Sequence, residues 1–447
     1  MKPPRGHDDR KWQGPHGRKK PPPFPKLPDK ARPPAARPPA QGPAPAEFVR
    51  PRRVVEVPPG VGVVHLKSAS YGAFLYQRMI ARVEGKVQDG DLVAVMDKRG
   101  DFFGWGFYNS QSQLGLRMFS YDSAMPTDQQ IALRVARAVK FRRNVLDLDR
   151  TTDAYRLVHA EGDGLSGLIA DRFGQYVVIE LFSLAMFRRV AMIQDAIVDA
   201  GLSVRAFVVR ADKSVAEQEG FRIGNLTDVD RKDHPAVIAE NGVKFRVHLA
   251  TGHKTGFFCD QRDNRMALTA FTPAREALDV CCYTGGFACY AAGPGKAKHV
   301  TAVDLDEVAL ETARENAALN EATIDFHHAD AFDFLRQMNA QGRQWDVVIL
   351  DPSKFVSRRD LIDVGLRKYS DLNRLAAGVV RKGGLLLTCS CSGLVDQGLF
   401  VQTIARAIRS AGRTLQIFRL SGAGADHPYM ADAPEGAYLK AVWGRLD

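Results

Sequence analysis

The sequence predicts an α/β fold whose C-terminal part is a doubly wound parallel sheet, preceded by a small β-barrel-like module and an α+β segment. Three observations carry this. An apolar run at 277–280 ends in a polar, glycine-containing turn, Tyr283-Thr284-Gly285-Gly286, after which residues 287–292 can open a helix. Beyond Asp304, short apolar runs alternate with helical patterns almost to the C-terminus, as parallel strands with crossover helices require. Between residues 52 and 119 the pattern is instead short β-type runs broken by Gly and Asp.

In chain order, residues 1–51 come first. Residues 1–47 hold eleven Lys or Arg against four Asp or Glu, and fourteen of the 24 prolines, so +7 of the net +11 charge lies there. Such a segment buries too little apolar surface to offset chain entropy and reads as a disordered basic tail. Residues 52–125 form the β module, with strands expected at 61–66, 92–96, 102–108 and 116–119 and turns at Asp89-Gly90-Asp91 and Arg99-Gly100-Asp101. Residues 126–240 form the α+β segment, with a helix at 128–146, strands at 176–182 and 206–209, and a helix at 190–200.

Residues 241–447 form the doubly wound domain. It opens with Gly252-His253-Lys254-Thr255-Gly256-Phe257-Phe258-Cys259-Asp260-Gln261-Arg262, whose density of polar groups beside two phenylalanines exceeds that of a plain connector. Strands are expected at 300–303, 323–326, 345–350, 384–388, 415–419 and 437–443, with helices at 307–319, 333–338 and 361–380. An open α/β sheet binds ligands at the carboxyl ends of its strands. Asp304, Asp330, Asp351 and Cys391 fall at four such ends, and Asp304 follows Gly285 by nineteen residues, the placement for a ribose diol. The dinucleotide fingerprint G-x-G-x-x-G is absent from the turn, which disfavours an NAD dehydrogenase.

S-adenosylmethionine explains this edge best. Asp304 would hold its ribose, Asp330 its adenine amino group, and the backbone at Gly285 and Gly286 its methionine portion. Gln261, Arg262, Asp279, Tyr283 and Asp351 complete the candidate cofactor set. Carbon five of cytosine is a poor nucleophile, and a thiolate adding at carbon six would activate it, so Cys391 is the candidate nucleophile with Asp351 beside it.

Composition sets the bounds. Apolar content of 45% and charged content of 25% are those of an ordinary globular protein. No uninterrupted apolar run is long enough to cross a membrane, and no hydrophobic segment follows the first basic residues, so neither a span nor a secretory leader is expected. All six cysteines lie beyond residue 258 without a C-x-x-C pair, which favours reduced thiols in a cytoplasmic protein over zinc or disulfides.

From about residue 52 onward the chain resembles the bacterial large-subunit ribosomal RNA methyltransferase I family. The resemblance is carried by Gly-His-Lys-Thr-Gly-Phe-Phe at 252–258, Asp-Gln-Arg-Asp at 260–263, Tyr-Thr-Gly-Gly-Phe-Ala at 283–288, and Ser-Cys-Ser-Gly-Leu at 390–394. Asp-His-Pro at 426–428 and Tyr-Leu-Lys at 438–440 add to it. It implies a PUA RNA-binding domain, a central α+β domain and a class I methyltransferase domain that forms 5-methylcytosine in 23S rRNA through a cysteine–cytosine adduct. Ribosomal RNA is then the expected partner, with no membrane or metal, and a homodimer stays open. The family's Asp-Pro-Pro-Lys-Phe is Asp351-Pro352-Ser353-Lys354-Phe355 here, and Cys389 adds a second cysteine near the expected nucleophile. Two alternatives stay open: methylation of a purine nitrogen, and a PUA-type ribosome-assembly factor with a vestigial methyltransferase fold.

Overall fold

The computed structural model describes residues 54–224, 235–249 and 255–447. The basic tail and the Gly252-His253-Lys254 stretch, a candidate cofactor contact, lie outside the described residues.

The β module is one six-stranded sheet of β1 (Val63–Leu66), β2 (Phe74–Leu75), β3 (Ile80–Glu84), β4 (Leu92–Met96), β5 (Phe102–Tyr108) and β6 (Leu116–Ser120), in the order β2-β6-β5-β4-β1-β3. β1 and β4 run parallel, and the other neighbours antiparallel. Strand β3 was not expected, because as an edge strand it buries only Ile80 and shows no apolar alternation. β5 is buried almost throughout and packs close to β6. A Cβ at Gly104 would stand 2.6 Å from the Ser120 carbonyl, so the crossing requires glycine there.

Helix α1 (Asp128–Lys140) continues as a widened turn over Phe141–Val145, which accounts for the expected helix reaching 146. The central domain is a four-stranded sheet, β7 (Ala154–His159), β8 (Leu168–Phe173), β9 (Tyr176–Leu181) and β10 (Ala206–Arg210), in the order β10-β9-β8-β7. Helices α2 (Leu184–Phe187), α3 (Val190–Asp199) and α4 (Lys213–Glu219) accompany it. Buried Glu219 ties this domain to the β module, accepting from Ser112 at 2.6 Å and Arg117 at 3.1 Å.

A hairpin follows, β11 (Pro235–Glu240) and β12 (Val243–His248). The expected domain boundary at 240 falls in its turn. Ile238, Phe245 and Val247 pack with Phe173, Val178 and Val208 of the central sheet and with Phe257 and Tyr290 beyond, so the hairpin is shared core.

The last domain is a seven-stranded sheet: β13 (Glu276–Val280), β14 (His299–Asp304), β15 (Asp325–His328), β16 (Trp345–Leu350), β17 (Val380–Ser390), β18 (Leu415–Ser421) and β19 (Lys440–Leu446). Its order is β15-β14-β13-β16-β17-β19-β18, with β19 antiparallel to both neighbours. The helices are α5 (Arg262–Leu268), α6 (Gly286–Ala292), α7 (Glu307–Leu319), α8 (Ala331–Ala340), α9 (Ile362–Val379) and α10 (Gln397–Ser410). Period-two alternation sends Val347 and Ile349 of β16 to a core with Phe287 and Leu310, and Val348 and Leu350 to a core with Leu335 and Phe400. Both faces of the sheet are therefore covered, which is why its strands read as continuous apolar runs. β17 begins four residues earlier than expected, because Arg381 pairs with Asp346 at 2.8 Å and the charged start joins the sheet. Residues 437–439, expected in the last strand, are instead loop beside the site.

Candidate active site

Strand order reverses between β13 and β16, and a crevice opens outside the carboxyl ends of the strands at such a switch point. Here the crevice is a cavity of about 710 Å³, within the range of small-molecule sites. Seven expected site residues line it: Gln261, Tyr283, Gly286, Asp304, Asp330, Asp351 and Cys391.

The turn after β13 is conformationally unusual. Cys281, Tyr283 and Gly285 have φ of 63°, 49° and 78°, so two non-glycine residues hold the left-handed conformation. Such strain persists only where the surroundings impose it, and it gathers at ligand sites. At Gly285 a Cβ would also meet Ala313 at 3.3 Å, so glycine suits both the backbone and the helix behind it.

The acids are fixed by backbone donors. Asp304 accepts the Tyr283 N–H at 2.7 Å on one oxygen and the Asp306 N–H at 2.9 Å on the other. Asp330 caps α8, with Oδ1 accepting from Phe332 at 2.9 Å and Asp333 at 3.2 Å. Asp351 follows β16 directly and accepts from Gln261 Nε2 at 3.0 Å.

The hydrogen bond to Asp351 ends a chain whose direction is set at Asn264. Trp443 Nε1, which can only donate, donates to Ser421 Oγ at 2.8 Å. Asn264 Nδ2 donates to the Gly422 carbonyl at 3.1 Å and to Gln261 Oε1 at 2.6 Å, so Asn264 Oδ1 faces Ser421 and accepts from its hydroxyl at 2.7 Å. Gln261 is left presenting its amide N–H to Asp351.

Three expected cofactor residues lie off the cavity. Arg262 is a correction: its side chain is buried and pairs with Asp426 at 2.8 Å, because it leaves the start of α5 on the side opposite Gln261. Asp426 also accepts the Arg156 N–H at 2.9 Å, and Arg142 donates to its carbonyl at 2.8 Å, so Asp-His-Pro is a staple between domains. Burial pushes the Asp426 carboxyl up, but His427 and Arg262 outweigh it and hold the acid well below the usual carboxylate range. Asp279 lies beneath the turn, 1% exposed, with Oδ2 accepting the Ala288 N–H at 2.9 Å. Burial, helped by the charge of Asp351, pushes its carboxyl up to about 8. Gly285 shapes the turn from behind.

Cys391 stands just past the end of β17, half-buried and on the cavity. Its neighbours are anchored: Ser390 donates to the Tyr369 hydroxyl at 2.9 Å, Ser392 Oγ lies 2.9 Å from the same hydroxyl, and all three are fully buried. Cys389 is fully buried among Leu387, Ala441 and Trp443 and off the cavity, with burial pushing its thiol well above the ordinary range. Cys282 and Cys289 are buried, whereas Cys281 is half-buried on the cavity wall.

Phe258 and Asp260, from the polar stretch the sequence marked, stand on the cavity wall, together with Phe332 and Tyr438, which sequence reasoning passed over. Asp260 accepts from the Tyr438 hydroxyl at 2.6 Å, and Phe258 meets the Tyr283 ring edge-on at 5.1 Å. The charged lining is five carboxylates, Asp260, Asp304, Asp306, Asp330 and Asp351, against Arg265 and Lys354. That balance suits a cationic, sulfonium-bearing ligand and opposes a pyrophosphate. Among the described residues, no group of three or more His, Cys, Asp or Glu is placed to hold a metal, and no helix is long and apolar enough to cross a membrane.

Comparisons with known proteins agree with this geometry. Residues 230–442 match the S-adenosylmethionine-dependent methyltransferase family model, and residues 73–121 match that of a PUA-like domain. A ribosomal RNA large subunit methyltransferase I from Aliivibrio fischeri is 37% identical over 379 residues, covering 83% of this chain and 95% of that protein. The protein of the same name from Aeromonas salmonicida is 38% identical over 375 residues, covering 83% and 94%. Among solved structures, a methyltransferase complexed with S-adenosylhomocysteine superposes with a TM-score of 0.71 at 19% identity, over 86% of this chain and 99% of that one. A SAM-dependent methyltransferase from Streptococcus mutans gives 0.70 at 19% identity, over the same shares. At that identity the likeness speaks for the fold alone. With the relatives sharing more than a third of their residues across nearly their whole length, the chain belongs to the ribosomal RNA large subunit methyltransferase I family, S-adenosylmethionine-dependent enzymes that methylate ribosomal RNA.

Proposed function

We propose that this chain methylates carbon five of a cytosine in large-subunit (23S) ribosomal RNA, with Cys391 as nucleophile. The observation that carries the reading is that Cys391, half-buried between two anchored serines, shares one cavity with Asp351 and with the Asp304 edge. Bound in this cavity, S-adenosylmethionine supplies an electrophilic methyl group. Asp304 takes the ribose hydroxyls, Asp330 takes the adenine amino group with the oxygen not used in capping α8, and Tyr283 and Gly286 border the methionine end. The target cytosine leaves its stack to reach the pocket, as a base must for chemistry at a buried atom. The Cys391 thiolate adds to carbon six, its electron pair forming the S–C bond and leaving carbon five enamine-like. Asp351, kept an acceptor by the Gln261 N–H, takes a hydrogen bond from the amino group at the cytosine edge. Methyl transfer leaves S-adenosylhomocysteine; the carbon-five proton then passes to solvent as the S–C bond breaks and its electron pair returns to Cys391, which restores the ring. The PUA-like domain supplies RNA contacts, and the reading places the enzyme in the cytoplasm with its RNA.

RNA containing 5-fluorocytosine tests this, because fluorine cannot leave as the proton does. A covalent adduct through Cys391 is expected in the parent. Cys391→Ala should keep S-adenosylmethionine and RNA binding and lose methyl transfer, and Cys389→Ala should keep most activity. An adduct through Cys389, or carbon-five methylation at a normal rate by the Cys391→Ala enzyme, refutes the assignment. Full activity of both variants would favour purine nitrogen methylation.

A further inference from the structure

Lys440, the first residue of β19, lies opposite Ser390 in the antiparallel pairing with β17. It is 4% exposed, and its Nζ donates at 2.7 Å to two backbone carbonyls, those of Ser392 and Tyr438. These two residues flank the cavity: Ser392 follows Cys391, and Tyr438 lines the wall. Among the described residues, no carboxylate oxygen lies within 4.0 Å of this ammonium. A buried lysine without an ion-pair partner is costly, and a buried charge normally has one. Neutral carbonyls hold Nζ in place without supplying the missing anion.

We propose that Lys440 is a positioning residue whose ammonium, held at the carbonyl of Ser392, stabilises the adjacent Cys391 as a thiolate. The proposal rests on Cys391 being the nucleophile, and it adds what makes that thiol one. The titratable and charged groups around the pair are few. Asp396 and Lys354 act on the ammonium along with Cys391 itself, while Tyr369 and Cys389 sense the Cys391 charge. Asp351 shares the cavity and, as an anion, opposes a second negative charge there. Burial pushes the Tyr369 hydroxyl and the Cys389 thiol up, so both are neutral at pH 7 and neither competes for the role. Burial also lowers the Lys440 ammonium to about 8, with Cys391 and then Asp396 pulling the other way, so it remains mostly charged at neutral pH. The proton balance is simple. The thiol proton goes to solvent before attack, Lys440 keeps all three of its own, and the sulfur pair returns beside the same ammonium when the S–C bond breaks. No oxidant or metal is required.

The test is the pH dependence of Cys391 alkylation by iodoacetamide, read by mass spectrometry of its peptide in the full-length protein. The parent should titrate below the free-thiol value of about 8.5. Lys440→Met should raise the midpoint by at least about one unit, slowing alkylation about tenfold at pH 7 and lowering kcat in step, with KM for RNA unchanged. Lys440→Arg should restore most of the shift. A parent midpoint at or above 8.5, or an unchanged midpoint in a Lys440→Met protein that still binds S-adenosylmethionine, overturns the proposal. If Lys440→Met does not fold, the parent midpoint and the Lys440→Arg protein decide. Failure of the nucleophile assignment is seen separately, as methyl transfer by Cys391→Ala.

Discussion

Ser421→Ala cuts the hydrogen-bond chain that ends on Asp351 without touching the cavity. The lost hydroxyl serves two partners, Trp443 Nε1 at 2.8 Å and Asn264 Oδ1 at 2.7 Å, in residues 3% and 1% exposed. Leaving each without a partner costs about 1–3 kcal/mol, so unfolding stability should drop by about 2–6 kcal/mol. A domain stable by about 10 kcal/mol, the middle of the usual range, survives that loss. The catalytic effect arises because Asn264 loses the donor on its oxygen and is held only through its N–H bonds, one of them to the Gly422 carbonyl at 3.1 Å, so its amide can shift. Gln261 Oε1 then loses the bond at 2.6 Å that holds its N–H on Asp351. A hydrogen bond to a charged group is worth about 1.5–3 kcal/mol, and partial loss should slow single-turnover methyl transfer about tenfold. Ser421→Thr, which keeps the hydroxyl, should recover most of the rate. The decisive measurement is a double-mutant cycle with Gln261→Leu: if the chain acts through Gln261, Ser421→Ala adds little in that background. Equal slowing in both backgrounds, or a stability loss with an unchanged rate, would refute the relay.

Three further outcomes are expected. Asp304→Ala should weaken S-adenosylmethionine binding by about 1.5–3 kcal/mol in calorimetry, and unchanged affinity would remove Asp304 from the site. Asp426→Asn removes the buried anion of Arg262, leaving only exposed Asp263 at 3.4 Å, and should cost up to about 3–5 kcal/mol in urea unfolding at pH 7. Because the folded acid is held low, its contribution is complete above the unfolded carboxylate value of about 3.9 and is lost as pH falls toward the folded value, so the deficit of the variant should shrink in acid. Asp279→Asn should be stabilising, since the folded carboxyl is raised to about 8: the parent carries a cost that grows as pH rises from about 4 to 8, at most about 1.36 kcal/mol per unit. Melting temperatures of parent and variant that stay equal across that window would show that Asp279 is not held neutral.

What the sequence by itself determined is local and periodic. The strands at 92–96, 102–108 and 345–350 and the helix at 307–319 have the expected bounds, because apolar alternation, turn glycines and helical spacing are encoded within the segments themselves. The acids at strand ends were legible for the same reason: a charged residue directly after an apolar run marks where the strand meets solvent, as at Asp304 and Asp351. In the sequence only the family resemblance favoured Cys391 over Cys389; the fold sets Cys391 on the cavity and Cys389 in the core. Tertiary structure decided where side chains point and whom they meet across long separations. Arg262 and Gln261 are adjacent, yet one joins Asp426, 164 residues away, and the other reaches Asp351, 90 residues away. Nothing in a local pattern distinguishes them, because the choice depends on which neighbour is already desolvated and charged on each side of α5. Strand β3 escaped because it buries only Ile80 and shows no apolar alternation, and the start of β17 escaped because a charged arginine there pairs with Asp346 on the neighbouring strand. Lys440 looked like the charged end of a short Tyr-Leu-Lys; only its burial against the loop that carries Cys391 gives its charge a consequence, since an ammonium acts on a thiol through distance and dielectric, and folding sets both.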